Sequence, residues 1–286
     1  MKYIKEMRIK HYIKNGLIFV PAFFAGSIFE MQTLTTACLA FLSFCLMSSA
    51  IYVLNDLNDA EKDRLHPKKK HRPIASGAIG NNEAVFFSFF LMVVSIALVV
   101  LTCRDGKLPV GILLLYLFIN LIYSVFGGKN VALLDVALLV SGFYLRLLMG
   151  SVTCKVEISN WLSLVVIAGS FFLAFGKRRN ESRQTGAKTR AALEAYSVDF
   201  LDRAMYSSMT LSLAFFALWC EEKGSGYMVL FPLVMLIMLR YCMNVEKAAE
   251  GDPTTIILKD YVLLGLVFLL GAIAFALIYV SESLPF

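Results

Sequence analysis

Apolar runs long enough to cross a bilayer recur along almost the whole chain, and they constrain its fold more than any motif does. They cover 15–30, 34–54, 84–103, 108–126, 131–152, 158–176, 204–220, 226–243 and 261–280, the first broken by Pro21 and the seventh diluted by Ser and Thr. A helix of about 20 apolar residues spans the roughly 30 Å hydrocarbon core, and it satisfies its backbone polar groups internally. Nine such runs predict an all-α, polytopic membrane protein, a nine-transmembrane-helix bundle that forms one integral membrane domain over 1–286. With 58% hydrophobic and 17% charged residues, an ordinary soluble domain is excluded.

The placement of charge gives the bundle a direction. Nine spans put alternate connections on opposite sides. Twenty-one Lys and Arg then fall on the side of the N-terminus, and only Arg104, Lys107, Lys155 and Lys223 on the other. Positive charge accumulates on the cytoplasmic side of membrane proteins, so the N-terminus and every long polar loop are expected there, in a plasma-membrane protein. Residues 1–14 carry five Lys or Arg among Tyr3, Ile4, Met7, Tyr12 and Ile13, a pattern that predicts an amphipathic lead-in at the bilayer surface. They have no apolar core or cleavage site, so no classical cleavable signal peptide is expected.

Two cytoplasmic loops, 55–82 and 177–203, concentrate the polar residues. The first opens with Asn55, Asp56, Asp59, Glu61 and Asp63, then turns basic with Arg64, Lys68, Lys69, Lys70 and Arg72. A helix continuing out of the preceding span would stack Asp56, Asp59 and Asp63 on one face. Carboxylates so placed repel one another, and they sit at a helix C-terminus, where the macrodipole disfavours them. A divalent cation relieves both effects. Mg2+ takes hard oxygen ligands and commonly shares them with substrate phosphates, which the adjoining basic run suits. The alternative, a solvated and capped loop, stays open on spacing alone. Pro67, Pro73 and Gly77 shape the rest of this loop.

Asp135 and Arg146 are ionisable residues inside an apolar span, where such groups are costly and usually paired or functional. Three helical turns separate them, so they cannot pair with each other. Asp135 could join a metal site, and Arg146 could instead bond backbone carbonyls or another helix. Asn120 is a candidate helix–helix hydrogen bond. The six cysteines have no CxxC spacing and read as apolar filler. GxSxG, Walker A and GxGxxG motifs are absent, which removes support for covalent nucleophilic and P-loop chemistry. No zinc-finger or RNP motif points to a nucleic-acid partner.

NDLNDAEKD is an NDxxDxxxD motif, and with nine apolar runs it resembles the UbiA family of intramembrane prenyltransferases. DRLHPKKKHRPIASG, KHYIKNGLIFVPAFFAG, GGKNVALLDV, FYLRLLMG, FGKRRNE, TRAALEAYSVDFL and GDPTTIILKD extend the resemblance through nearly the whole chain. They bring it closer to one branch, the decaprenyl-phosphate phosphoribosyltransferases. One departure from typical UbiA prenyltransferases is informative, because Asp135 has no second carboxylate four residues away.

The resemblance implies Mg2+-dependent transfer of 5-phosphoribose from 5-phosphoribosyl 1-diphosphate to a polyprenyl phosphate, releasing diphosphate. It assigns the metal and the catalytic role to Asn55, Asp56, Asp59 and Asp63. Lys68, Lys70, Arg72, Lys177, Arg178 and Arg190 are expected to grip the donor's phosphates. Lys14, Tyr123, Lys129, Asp135, Arg146 and Glu181 complete the expected substrate-binding set. The acceptor phosphate is ionised at neutral pH, so no strong general base is required. Alternatives are prenyl transfer to an aromatic or other acceptor, and, from another class, a lipid-phosphate transporter. A homo-oligomer stays open.

Overall fold

A computed structural model describes residues 2–65, 69–103, 107–185, 191–247 and 253–280, and among them every regular element is helical. The helices are α1 (Lys2–Glu6), α2 (Val20–Phe24), α3 (Met31–Asn58), α4 (Ala60–Leu65), α5 (Asn81–Thr102), α6 (Lys107–Ser124) and α7 (Leu134–Cys154). They continue with α8 (Asn160–Thr185), α9 (Ala191–Glu194), α10 (Val198–Lys223), α11 (Leu230–Lys247), α12 (Pro253–Lys259) and α13 (Tyr261–Phe275). Seven stretches among the described residues are long and apolar enough to cross a membrane: Met31–Asn58, Asn81–Thr102, Lys107–Ser124, Leu134–Cys154, Asn160–Arg183, Ser225–Lys247 and Tyr261–Val280.

These seven match seven of the nine expected spans. The other two behave differently for physical reasons. Residues 15–30 do not form one helix: Ile9–Phe19 winds as a 3-10 helix, α2 carries Pro21 in its first turn, and Gly26 turns the chain at φ +76°. Ile18 and Ala22 are fully buried there, so the segment is held by protein contacts. The seventh run lies within α10, a helix of 26 residues with Asp199, Asp202 and Arg203 at one end and Glu221, Glu222 and Lys223 at the other.

The chain divides into two compact units, residues 1–128 with 145–157, and residues 129–144 with 158–286. α7 contributes its first half to the second unit and its second half to the first. In the first unit α3 lies against α5 through small polar residues. Ser43 and Ser95 each donate to the other's backbone carbonyl at 2.8 Å, and Ser88 donates to the Ala50 carbonyl at 3.0 Å. Serines at such a contact allow close backbone approach and supply interhelical hydrogen bonds. Ile18, Phe44, Met47, Leu113 and Met149 form the core. A Cβ on Gly150 would lie 2.0 Å from the Ile18 carbonyl oxygen, so only glycine lets the 3-10 segment pack on this part of α7.

Arg146 belongs to this unit and is buried. Its Nε donates to Asn15 Oδ1 at 2.6 Å and an Nη to the Tyr116 hydroxyl at 2.7 Å, with the guanidinium over the Phe44 and Tyr116 rings. Asn120 bonds the Tyr116 carbonyl of its own helix at 2.8 Å, so the expected helix–helix bond is replaced by a local one.

In the second unit α8 and α10 pack along their length, with Ser212 donating to the Val165 carbonyl at 3.2 Å. Phe172, Leu201, Met205, Tyr241 and Val245 fill the core beside them. α8 also runs on to Thr185, past the expected span end at 176. Lys177, Arg178 and Glu181 therefore sit on a helix and not in a loop, a correction to the expected 177–203 loop. The extension is stabilised because Arg178, Arg179 and Asn180 are all buried against neighbours in the same unit.

Candidate active site

The NDxxDxxxD stretch does not continue as one helix. α3 ends at Asn58, Asp59 caps it at φ −95° and ψ 4°, and α4 begins one residue later. Hydrogen bonds carry the chain across the break, from Asp59 N–H to the Asn55 carbonyl at 3.0 Å and from Asp63 N–H to the Asp59 carbonyl at 2.8 Å. Asp56 and Asp63 end up buried, while Asn55 and Asp59 are half-buried.

Arg72 joins the two buried carboxylates. Its Nη1 lies 2.9 Å from Asp56 Oδ1 and 2.5 Å from Asp63 Oδ2. Arg8 makes a second ion pair with Asp56, and Lys69 stands 3.8 Å from Asp63. The loop that brings Arg72 round has a small apolar core of its own, Val53, Ala60, Ile74, Ile79 and Ala84. Gly77 closes its turn at φ +77°, a conformation that glycine takes without a Cβ penalty.

Sequence reasoning missed two members of this cluster, Arg8 and Glu6. Glu6 is 1% exposed. Burial first, then the charge of Asp56 and a side-chain hydrogen bond with it, pushes its carboxyl up to about 8, with Arg8 and Arg72 pulling the other way. The signal was present in the chain, since Glu6 is the single acid in the basic stretch 1–14.

Among the described residues no three His, Cys, Asp or Glu side chains converge as a ready metal site. Asp56 and Asp63 share a guanidinium, and Asp59 is the half-buried single residue between α3 and α4. The donor set still suits an Mg2+-class ion. That ion needs only one or two carboxylates besides substrate phosphates, and Asp56 and Asp63 are two buried hard-oxygen donors.

The second unit holds a different constellation. Asp135 and Arg178 are both 0% exposed, with Arg178 Nε 2.5 Å from Asp135 Oδ2. Arg178 Nη1 reaches Glu181 Oε2 at 2.6 Å, one turn along α8. The Tyr196 hydroxyl donates to Asp135 Oδ1 at 2.8 Å and accepts from the Leu133 N–H at 2.5 Å. Burial is the main cause that pushes the Tyr196 phenol up to about 12, so it stays a donor. Leu133 adopts φ +66°, a left-handed conformation that costs a branched residue, just where the chain turns into α7. Nearby in the same unit, Arg179 pairs with Asp202. Asp260 accepts from Arg240 Nε at 2.7 Å and Asn244 at 2.5 Å.

Lys70 is exposed, while Lys14, Tyr123, Lys129 and Lys177 are half-buried. Lys68 and Arg190 lie outside the described residues.

The family model described as "UbiA prenyltransferase family" matches residues 17–259. The chain is 35% identical over 272 residues to the decaprenyl-phosphate phosphoribosyltransferase of Corynebacterium glutamicum, covering 91% of this chain and 81% of that protein. It is 34% identical to the protein of the same name from Mycolicibacterium smegmatis, covering 91% of this chain and 87% of that one. Among solved structures, a UbiA homolog from Archaeoglobus fulgidus bound to GPP and Mg2+ superposes with a TM-score of 0.70. The superposition covers 97% of this chain and 99% of that one, at 20% identity, a likeness of fold.

Proposed function

The chain belongs to the UbiA prenyltransferase family, and from that premise we propose that it is a membrane phosphoribosyltransferase that moves 5-phosphoribose from 5-phosphoribosyl 1-diphosphate to a polyprenyl phosphate of the decaprenyl class. The relatives named decaprenyl-phosphate phosphoribosyltransferase, alike across about nine-tenths of the chain, support the reaction class. The single structural observation that carries the choice of donor is the environment of Asp135. A second aspartate-rich metal centre would need free carboxylates, and Asp135 is instead committed to Arg178 and Tyr196 in a site closed to solvent.

In this reading Asp56 and Asp63, with Asn55 and Asp59 assisting, hold Mg2+ together with the donor's diphosphate. The ion, when bound, supplies positive charge against the charge that builds on the departing diphosphate. Arg72 already spans both carboxylates and is only partly buried, so it can give one of them up and turn to a phosphate oxygen. Lys69, Lys70 and Lys68 add positive charge to the same loop. Departure of diphosphate leaves an oxocarbenium-like ribose C1, which the acceptor phosphate oxygen attacks, and catalysis rests on positioning and electrostatics.

In the second unit Asp135, Glu181 and Tyr196 fix the Arg178 guanidinium, which makes Arg178 a positioning residue. Lys177, on the next position of α8 and half-buried, is the group offered to a phosphate. The active face and the N-terminus are cytoplasmic, where a soluble phosphoribosyl donor is available, and the positive-charge asymmetry supports this.

The test uses purified protein, labelled 5-phosphoribosyl 1-diphosphate and decaprenyl phosphate. Label entering the lipid fraction is expected, with diphosphate released in equal amount. No lipid label, together with turnover of an isoprenyl diphosphate on an aromatic acceptor, would overturn the reading.

A further inference from the structure

At the end of the first unit away from the acid-rich loop, the ends of α3, α5, α6 and α7 surround a cavity of about 590 Å3. Thr33 in its wall and Asp56 stand about 35 Å apart along α3, so the depth of a bilayer core separates the cavity from the loop.

The lining divides by chemistry. On the polar side the Thr36, Thr102 and Thr153 hydroxyls donate to the carbonyls of Gln32, Leu98 and Met149 at 2.8, 2.6 and 2.7 Å, and Thr33 Oγ1 donates to Glu30 at 3.3 Å. Their protons are therefore committed. Lys155 is the one charged residue in the lining among the described residues, and its ammonium is the strongest donor there. On the apolar side Leu101 and Leu108 border the cavity and are exposed.

Lys155 is also held in costly backbone. α7 ends in a Schellman arrangement, in which the Val156 N–H donates to the Ser151 carbonyl at 3.0 Å and Lys155, just before it, takes φ 56°. Glycine usually fills this left-handed position, because a Cβ is penalised there. Helix termination alone favours glycine, so it does not account for a lysine at the rim of a cavity. Strain of this kind clusters where a ligand is held.

We propose that the cavity is a binding site for an anionic phospholipid of the leaflet opposite the acid-rich loop. Lys155 meets the headgroup phosphate, and Leu101 and Leu108 flank the start of the acyl chains. A single cation beside exposed leucines, at the depth of a bilayer surface, matches an amphiphile with a negative head. The bound lipid ties four helix ends together, and the proposal does not depend on the phosphoribosyl reading.

Cys103 and Cys154 line the cavity and are half-buried, whereas Cys38 is exposed on α3 outside it, so thiol protection reports on this site alone. The delipidated full chain in detergent is treated with N-ethylmaleimide while phosphatidylglycerol, phosphatidylcholine or inorganic phosphate is titrated in, and peptide mass spectrometry follows each cysteine. Phosphatidylglycerol is expected to slow modification of Cys103 and Cys154 and to leave Cys38 unchanged, with no such protection from the other two. Lys155→Gly should need about tenfold more phosphatidylglycerol for the same protection, for the loss of one charge-assisted hydrogen bond, and Lys155→Arg should behave as wild type. Thermal unfolding without lipid is measured alongside, and Lys155→Gly should be at least as stable as wild type because the backbone strain is relieved. Equal protection by phosphatidylcholine overturns the headgroup selectivity, and equal protection by inorganic phosphate overturns the lipid as ligand. Unchanged phosphatidylglycerol dependence in Lys155→Gly overturns the role of Lys155, as does a Lys155→Gly protein that is less stable without lipid or fails to fold.

Discussion

The two units each hold a buried aspartate beside arginine, yet they use the pair in opposite ways. In the first, Asp56 and Asp63 compete for Arg72, and Arg8 is 23% and Arg72 29% exposed. In the second, Asp135 and Arg178 are wholly buried, with Glu181 paired to Arg178 and the Tyr196 hydroxyl donating to Asp135. The cations of the first cluster are partly exposed, so they can exchange partners with an incoming ion and phosphate. The second is wholly buried, which suits a positioning role. Buried aspartate next to arginine is thus not one kind of signal, and the exposure of the arginine distinguishes the two.

That contrast can be broken most directly by removing one acid from each. Asp56→Ala should lower turnover by roughly 10²–10³-fold or more while the protein still inserts in the membrane, because the lost stabilisation concerns developing charge. Labelled-donor transfer and membrane fractionation check it, and near-normal turnover would remove the metal role. Asp135→Ala should instead lower stability by about 3–5 kcal/mol, since it strands the Arg178 charge in a closed site. Thermal unfolding in detergent is the measurement, and the paired change Asp135→Leu with Arg178→Met should recover much of the loss.

A smaller effect sharpens the exchange idea. Arg72→Ala should raise the donor KM about tenfold and leave the acceptor KM near wild type, for the loss of one charge-assisted hydrogen bond of about 1.5 kcal/mol. The reverse pattern would assign this loop to the lipid phosphate. The smallest effect is expected at Asp260. Hydrogen bonds from Arg240 and then Asn244 hold its carboxyl well below the usual aspartate range. Its contribution to stability is therefore present above about pH 4, the unfolded value, and is lost as pH falls through the lower folded one. Thermal unfolding at pH 6 and pH 3 should show Asp260→Asn flattening that fall by a few degrees.

Much of this architecture was legible in the chain. Periodic apolar runs located seven spans because bilayer thickness sets a helix length that sequence reports directly. The seventh run was legible as a helix and less so as a span, since its charged ends lie within the same α10. Residues 15–30 misled because apolar composition does not separate a lipid-facing helix from a segment that buries Ile18 against protein. Spacing put Asp56, Asp59 and Asp63 on one face of a continuous helix; the chain instead passes from α3 to α4 through the single residue Asp59, and Asp56 and Asp63 share Arg72. The branch of the family was legible from motifs spread through the chain, and the relatives agree with it.

By itself, then, the sequence determined what depends on local period and charge count: helical spans, a loop with acids followed by bases, and a family. Tertiary structure decided which charges meet. Arg72 reaches back to Asp56 and Asp63 only through a folded loop, and Arg178 finds Asp135 from 43 residues away. Arg8 pairs with Asp56 across 48 residues. Pairing energies depend on burial and distance in space, which one-dimensional spacing does not encode.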